Sequence, residues 1–462
     1  VEGLRIRGQS KGKQWQCRLS EGDIRFSLLP LASKTFRVRR ARGGDFEFRL
    51  RSRLTEETRD LPAAQFFPDI EGFSNPPDPA PEDIYPPKDK TKKGWHIDLA
   101  DVRFRGAVDL WFGRLRIAGT GLVGGDVDYQ IRGDLHLPET VFDLDNGSLT
   151  FDNRTMVEDL GIDADIIVTP FRPKEVKGTA IFNHVLGSWK LENGTIPDLR
   201  IVDDMLPASS ALELRSGTAS FHWAFDKPSV EAGSSGDMSI VATGADMAAG
   251  GREMSGDFSL HSQLVRSSLA EGSWQLGETT LSLDNILIDL VGDDDSTDEQ
   301  EEPWWARATL KAGNLELDDP GTLSAQLAFS MKNTDPLLEL FLAKTDEEGR
   351  TKIPRWAKLL PDIQDLEGSA TLRMDEGATI VDDIVIDGEK FDLMARLKAV
   401  GKEVDGQLYV RYKGLDLGLE LRDGKSDLKV LRPKKWFLEQ LELDGSTTIQ
   451  PPDEGSNQAE SG

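Results

Sequence analysis

Apolar and charged residues alternate along most of this chain. At its start the alternation runs through Gly3-Leu-Arg-Ile-Arg-Gly8, Trp15-Gln-Cys-Arg-Leu19, Asp23-Ile-Arg-Phe-Ser-Leu-Leu29, Thr35-Phe-Arg-Val-Arg39 and Phe46-Glu-Phe-Arg-Leu50. Successive side chains of a strand point to opposite sides, so a period of two marks a sheet with one wet and one dry face. The pattern resumes at Trp95, in runs such as Val102-Arg-Phe-Arg105 and Ala107-Val-Asp-Leu-Trp111. It is cleanest in Phe391-Asp-Leu-Met-Ala-Arg-Leu397, Leu408-Tyr-Val-Arg-Tyr412, Leu417-Gly-Leu-Glu-Leu421 and Leu428-Lys-Val430. Asn146-Gly147, Asn193-Gly194, Asp387-Gly388, Asp405-Gly406, Asp423-Gly424 and Asp444-Gly445 punctuate the runs. Such pairs favour tight hairpins, whose two central residues need positive φ. The spacing is irregular, which argues against a propeller or a fixed-repeat solenoid. The pattern predicts an all-β chain: a long curled antiparallel β-sheet, a groove-like meander of roughly two dozen strands, with one or two short helices. At ~4.8 Å per strand such a sheet extends on the order of 120 Å, and curls into a trough more readily than a ball.

Two kinds of segment break the alternation. Residues 55–94 form a Pro-rich connector, with Pro62, Pro68, Pro76, Pro77, Pro79, Pro81, Pro86 and Pro87, expected to run across the sheet surface. Thr334-Asp-Pro-Leu-Leu-Glu-Leu-Phe-Leu-Ala-Lys344 carries helix signals, with Asp335 as N-cap and Pro336 in the first turn, and a second short helix is predicted over Pro354-Arg-Trp-Ala-Lys-Leu-Leu360. The expected organisation is a basic β segment over 1–54, the connector, a meander over 95–333, a helical plug or lid over 334–363, a second meander over 364–447 and a disordered polar tail over 448–462.

Charge separates one end from the rest. Residues 1–54 hold fourteen Lys and Arg against five Asp and Glu, a net of +9, while the whole chain carries −26. A basic end on an acidic body implies that this end meets something anionic. The acidic balance argues against nucleic acid as a partner, because phosphate binding needs a sizeable basic surface. Hydrophobic content is 38%, low for a thick globular core. No apolar stretch reaches the ~18 residues of a membrane span. The chain begins at Val1, so an anchor or signal segment is expected to precede it.

Catalytic and metal chemistry leave no trace in the sequence. Cys17 is the single cysteine, and His96, His136, His184, His222 and His261 are scattered without ligand spacing, so neither a metal nor a cofactor is expected. The acidic run Asp293–Glu302 lacks the glycine of an EF-hand at its sixth position, where Asp298 stands. Gly233-Ser-Ser-Gly236 is a turn and not a nucleophile elbow, and Asp143, Asp145 and Asp152 around Asn146-Gly147 read as solvated carboxylates. The chain is therefore not expected to be an enzyme.

The stretch Gly3-Leu-Arg-Ile-Arg-Gly8, Trp15, Ile24-Arg-Phe-Ser-Leu-Leu-Pro-Leu31, Phe36-Arg-Val-Arg-Arg40 and Phe46-Glu-Phe-Arg-Leu50 resembles the beginning of AsmA/TamB-like envelope proteins. Gly414-Leu-Asp-Leu-Gly-Leu-Glu-Leu421 before Trp436-Phe437 is similar in style. The resemblance implies an inner-membrane anchor ahead of a long curled sheet in the periplasm of a Gram-negative bacterium. It also implies handling of phospholipid between the two membranes. An apolar strip suits that task, since each CH2 shielded from water contributes ~0.8 kcal/mol. Candidate groove residues are Phe391, Leu393, Leu397, Leu408, Val410, Tyr412, Leu417, Leu419 and Leu421. Candidate membrane-proximal cations are Arg5, Arg7, Arg25, Arg37, Arg39, Arg40 and Arg42. The alternative is a non-catalytic assembly factor whose dry face is closed by an envelope protein partner.

Overall fold

In a computed structural model the described residues are 2–9, 12–54, 60–73, 94–131, 133–173, 175–176, 183–203, 212–229, 233–249, 252–268, 273–288, 303–316, 322–333, 344–345, 351–352, 364–375, 378–388, 391–400, 403–422 and 425–443. They are overwhelmingly β-strand, 22 strands lying in extended sheet and two in a separate short pair. The contacts divide the chain into two compact units. One comprises 1–198, 218–240 and 264–272, and the other 199–217, 241–263 and 273–462. Residues 334–343 and 354–360 of the predicted helices, the acidic run 293–302 and the tail lie outside the described residues, while Lys344–Thr345 and Thr351–Lys352, inside the expected helical segment 334–363, are paired strands.

The first unit begins with β1 (Glu2–Gln9), β2 (Lys13–Ser27), β3 (Thr35–Gly43) and β4 (Phe46–Ser52). Strand β2 is long enough to pair with β1 and β4 through its first half and with β3 through its second. Then come β5 (His96–Phe112), β6 (Leu115–Gln130), β7 (Leu135–Phe151), β8 (Arg154–Phe171) and β9 (Val185–Ile196). From β5 to β9 each strand pairs antiparallel with the next. After β10 (Leu212–Ser216), which belongs to the second unit, β11 (Ala219–Lys227) adds to β9.

One part of the expected meander is different. Strand β5 runs parallel to both β3 and β4. Parallel neighbours cannot be joined by a tight turn and need a long crossover. The Pro-rich connector makes that crossover between β4 and β5. Its described part, 60–73, includes a 3-10 turn at Pro62–Phe66 and buries Ala64 and Ile70. It lies on the polar side of β1, β2 and β4, where Arg51 donates to Gln14 (2.9 Å) and to the Pro68 carbonyl (3.1 Å), and Arg49 to the Asp69 carbonyl (2.6 Å).

Cross-strand register builds the dry side. Phe46 and Phe48 of β4 face Val108 and Leu110 of β5. Leu110 faces Ile117, Val123 faces Phe142, and Leu144 faces Ile162 on successive strands. Val108, Leu110, Val123 and Leu144 form a buried cluster ringed by Phe46, Phe48, Phe104, Ile117, Phe142 and Ile162. The Phe46 and Phe104 rings stack at 4.5 Å. Further along, Trp189 stacks on Phe225 at 4.2 Å and meets Trp223 edge-on.

The second unit contains most of β12 (Ser234–Ala249) and β13 (Arg252–Ser268), then β14 (Ser273–Ile288), β15 (Trp304–Glu316) and β16 (Thr322–Asn333). The short pair β17 (Lys344–Thr345) and β18 (Thr351–Lys352) follows. It continues with β19 (Gln364–Asp375), β20 (Ala378–Gly388), β21 (Phe391–Val400), β22 (Glu403–Tyr412), β23 (Leu415–Arg422) and β24 (Lys425–Lys429). From β14 to β16, and on from β19 to β24, each strand pairs antiparallel with the next, and β16 pairs with β19. A one-turn helix, Arg200–Asp203, caps β10 through Asp203, which accepts from the Leu214 amide at 2.8 Å.

Two sequence expectations need correction. The C-terminal meander does not continue to residue 447: it ends at Lys429 and gives way to a helix, Pro433–Leu443. And Asn146-Gly147 and Asn193-Gly194 do not make hairpins. Each sits inside a long strand, with the Asn at φ 49° and 57° respectively and the pairing register slipping beside it. One left-handed residue is enough for a β-bulge, while a type I′ turn needs two. Apolar partners continuing on both sides then favour an uninterrupted strand. Arg422 pairs with Lys425, so β23 and β24 are hairpin neighbours, and Asp423-Gly424 itself lies outside the described residues.

Candidate functional site: an apolar sheet face in the second unit

All nine candidate groove residues come to one face of three adjacent strands. Phe391 faces Tyr412 and Leu393 faces Val410 between β21 and β22. Leu408 faces Leu419 and Val410 faces Leu417 between β22 and β23. Leu397 and Leu421 meet from either side over Gly406, where a side chain would strike Leu397. Asp405-Gly406 is therefore mid-strand, and its glycine is packing space and not a turn. Phe391, Val410, Leu419 and Leu421 are buried, whereas Leu393, Leu397, Leu408, Tyr412 and Leu417 are only half-buried.

The same face extends to residues that sequence reading passed over. Ile384 and Ile386 of β20 face Ala395 and Leu393, and Leu428 of β24 faces Leu419. Asp387-Gly388 is strand and not the expected turn: Asp387 pairs with Asp392 and Gly388 with Phe391, and this register brings Ile386 opposite Leu393.

The opposite face mixes ion pairs with an apolar patch, Met394 and Tyr409, that the C-terminal helix covers. Asp392 pairs with Arg411, and the buried Asp382 pairs with Arg373 and, at 2.7 Å, with Arg396. Asp382 and Asp383 together oppose Arg396 at a bulge, with Asp383 at φ 51°. The helix Pro433–Leu443 packs here, placing Phe437 and Leu441 against Met394 and Tyr409. Trp436 lies against Gly418, where a Cβ would come within 2.9 Å of its ring. Burial, with Asp416 beside it, pushes the Tyr409 hydroxyl up to about 12. The helix thus sits on the side of the sheet away from the nine apolar residues.

The candidate cations do not gather in one place. Arg5 pairs with Glu71, and Arg7 donates to the Glu71 carbonyl at 2.8 Å, beside the connector. Arg25 pairs with Asp23, Arg37 with Asp98, and Arg40 and Arg42 share Asp101. Arg39 is exposed, at a register slip between β2 and β3, without an ion-pair partner among the described residues. The Asp143, Asp145 and Asp152 carboxylates do not converge either. The first two are exposed on β7, and Asp152 is held by Arg114. Among the described residues no group of three or more His, Cys, Asp or Glu is arranged to hold a metal ion, and no helix is long and apolar enough to cross a membrane. Comparison with protein families, curated proteins and solved structures finds no match for this chain.

Proposed function

We propose that the apolar face of β20–β23 binds the acyl chains of phospholipid, and that the protein shields lipid in transit between inner and outer membranes of a Gram-negative envelope. The observation that carries this reading is the register: nine apolar side chains aligned across three strands, five of them half-buried, with the C-terminal helix on the other side. Two acyl chains laid along such a strip would gain ~0.8 kcal/mol for each CH2 removed from water. The resemblance of the first 50 residues to AsmA/TamB-like proteins supplies the lipid class and the periplasmic setting. Shielding of this kind needs no catalytic group.

The test is mass spectrometry of organic extracts from the purified native protein. About one or more phospholipids per chain are expected. Leu408→Asp with Leu417→Asp should remove them while the β-sheet circular dichroism persists, because both side chains are half-buried and placed within the apolar face. Lipid retained by that folded variant would overturn the assignment of the site. A lipid-free wild type with a stoichiometric envelope protein bound would favour the assembly-factor reading.

A further inference from the structure

The first unit carries a second apolar surface that the lipid-shielding reading does not use. Strands β2 and β3 are joined by a tight turn whose 3-10 segment is Leu29–Ser33. Leu28 and Leu29 stand on it 67% and 91% exposed, and Phe26 and Phe36 on the flanking strands are 55% and 41% exposed. The turn is held shut: the Leu31 amide donates to Leu28 (3.1 Å), the Lys34 amide to Leu31 (3.0 Å), and the Ser33 hydroxyl to Pro30 (2.8 Å). The leucines are therefore presented by an ordered turn. The His96 amide donates to the Lys34 carbonyl at 2.9 Å, which brings Trp95, 44% exposed, to the same end of the sheet. No sequence proximity links Trp95 to this turn.

Cations border the patch. Lys34 and Arg39 are exposed and have no ion-pair partner among the described residues, while Arg25 and Arg37 are paired with Asp23 and Asp98. Exposed Leu, Phe and Trp with Lys and Arg beside them are the side chains that settle into a membrane interface, the aromatic rings at headgroup depth and the cations against anionic phosphates. We propose that the Leu28–Leu29 turn, with Phe26, Phe36 and Trp95, docks this protein on the surface of a bilayer containing anionic phospholipid. Charge complementarity favours a bilayer as the occupant: among the described residues the unpaired charges at the patch, Lys34 and Arg39, are positive, in a segment of net +9 on a chain of net −26. The proposal goes beyond lipid shielding by β20–β23 and does not depend on it.

Co-sedimentation with vesicles tests it, using the full chain. Vesicles of phosphatidylcholine mixed with phosphatidylglycerol should pellet the wild type, and pure phosphatidylcholine much less. Raising the salt should weaken binding, because exposed charges are screened. Leu28→Ser with Leu29→Ser should weaken binding on the order of tenfold, since two leucines leave the apolar boundary. Arg39→Ala should weaken it about fivefold on the anionic vesicles alone. Leu431→Ser removes an equally exposed leucine (84%) elsewhere and should change nothing. A wild type left in the supernatant with anionic vesicles would overturn the proposal. So would a double variant that pellets like the wild type, or an equal loss with Leu431→Ser. Vesicle binding without extractable lipid would sink only the shielding reading, and extractable lipid without vesicle binding only this one.

Discussion

At the residue scale, single side chains report how the sheet is held. Cys17 lies half-buried on β2, and burial, with Glu47 nearby, pushes its thiol up to about 11 from an ordinary 9.0. The thiolate is the reactive form, so labelling by a disulfide reagent at pH 8 should run about a hundredfold slower in the native protein than in urea. The sign for stability follows. The folded state holds its proton to higher pH than the unfolded chain, so this contribution is intact below about pH 9 and is lost as pH rises toward 11. A Cys17→Ser variant should lose less stability across that window, measured by urea midpoints at each pH. Gly187, at φ +112°, comes so near β8 that a Cβ would sit 2.0 Å from the Asp165 carbonyl oxygen. Gly187→Ala should therefore cost roughly 2 kcal/mol or more, and hydrogen exchange along β8 and β9 should accelerate. Asp382→Ala removes the carboxylate that Arg396 and Arg373 share and should destabilise by about 2 kcal/mol. That is below the cost of a fully buried pair, because its other partner Arg373 is half-exposed.

At the element scale, the recurrent device is the bulge. Asp101, Asn146, Asp159, Asn193, Asn285 and Asp383 all take positive φ inside strands of up to 18 residues. Asn and Asp tolerate that conformation best among residues other than glycine, and each bulge sharpens the local twist. Some are fastened by a carboxylate from a neighbouring strand. Asp126 accepts from the Asp101 amide at 2.8 Å, and Asp257 accepts from both Asn285 (2.7 Å) and the Gly244 amide (2.9 Å). Those two hydrogen bonds hold the Asp257 carboxyl below its ordinary 3.8. The stability it adds is present above that value and is lost as pH falls through its lower, folded value. The sequence announced turn chemistry at Asn146 and Asn193 but not which use would be made of it, because the same residue suits a hairpin and a bulge. The C-terminal helix was missed for a related reason. Pro433-Lys-Lys-Trp-Phe-Leu-Glu-Gln-Leu-Glu-Leu443 has an apolar helical face, but it follows an alternating run and carries no acidic first turn. Phe437 is fully buried at its contact with β22. Phe437→Ala should cost about 3–5 kcal/mol and expose the β22 and β23 amides to hydrogen exchange, whereas Lys435→Ala on the exposed side should cost well under 1 kcal/mol.

At the scale of the whole molecule, the charge is the clearest lever. With a net of −26 and most N-terminal arginines paired to carboxylates, duplex DNA should not be retarded by this protein in a gel at physiological salt. Retardation under those conditions would show that the basic end gathers phosphate despite its partners. The basic segment read as one surface in the sequence because its arginines are close along the chain. In the sheet, Arg5 and Arg7 lie beside the first half of β2 and under the connector, while Arg25 sits roughly 20–30 Å further along that strand.

The sequence by itself determined the all-β class, the two-sided character of the strands and the membership of the apolar face in β21–β23. All three follow from a period-two pattern, and strand geometry leaves no other way to satisfy it. Tertiary structure decided which strands are neighbours, including the parallel placement of β5 beside β3 and β4. It also decided which Asx residues bend a strand and which end it, where the C-terminal helix lands, and which arginines find carboxylates. Those outcomes depend on pairings between residues far apart in the chain, as Trp95 beside Lys34 illustrates, and local alternation carries no record of them.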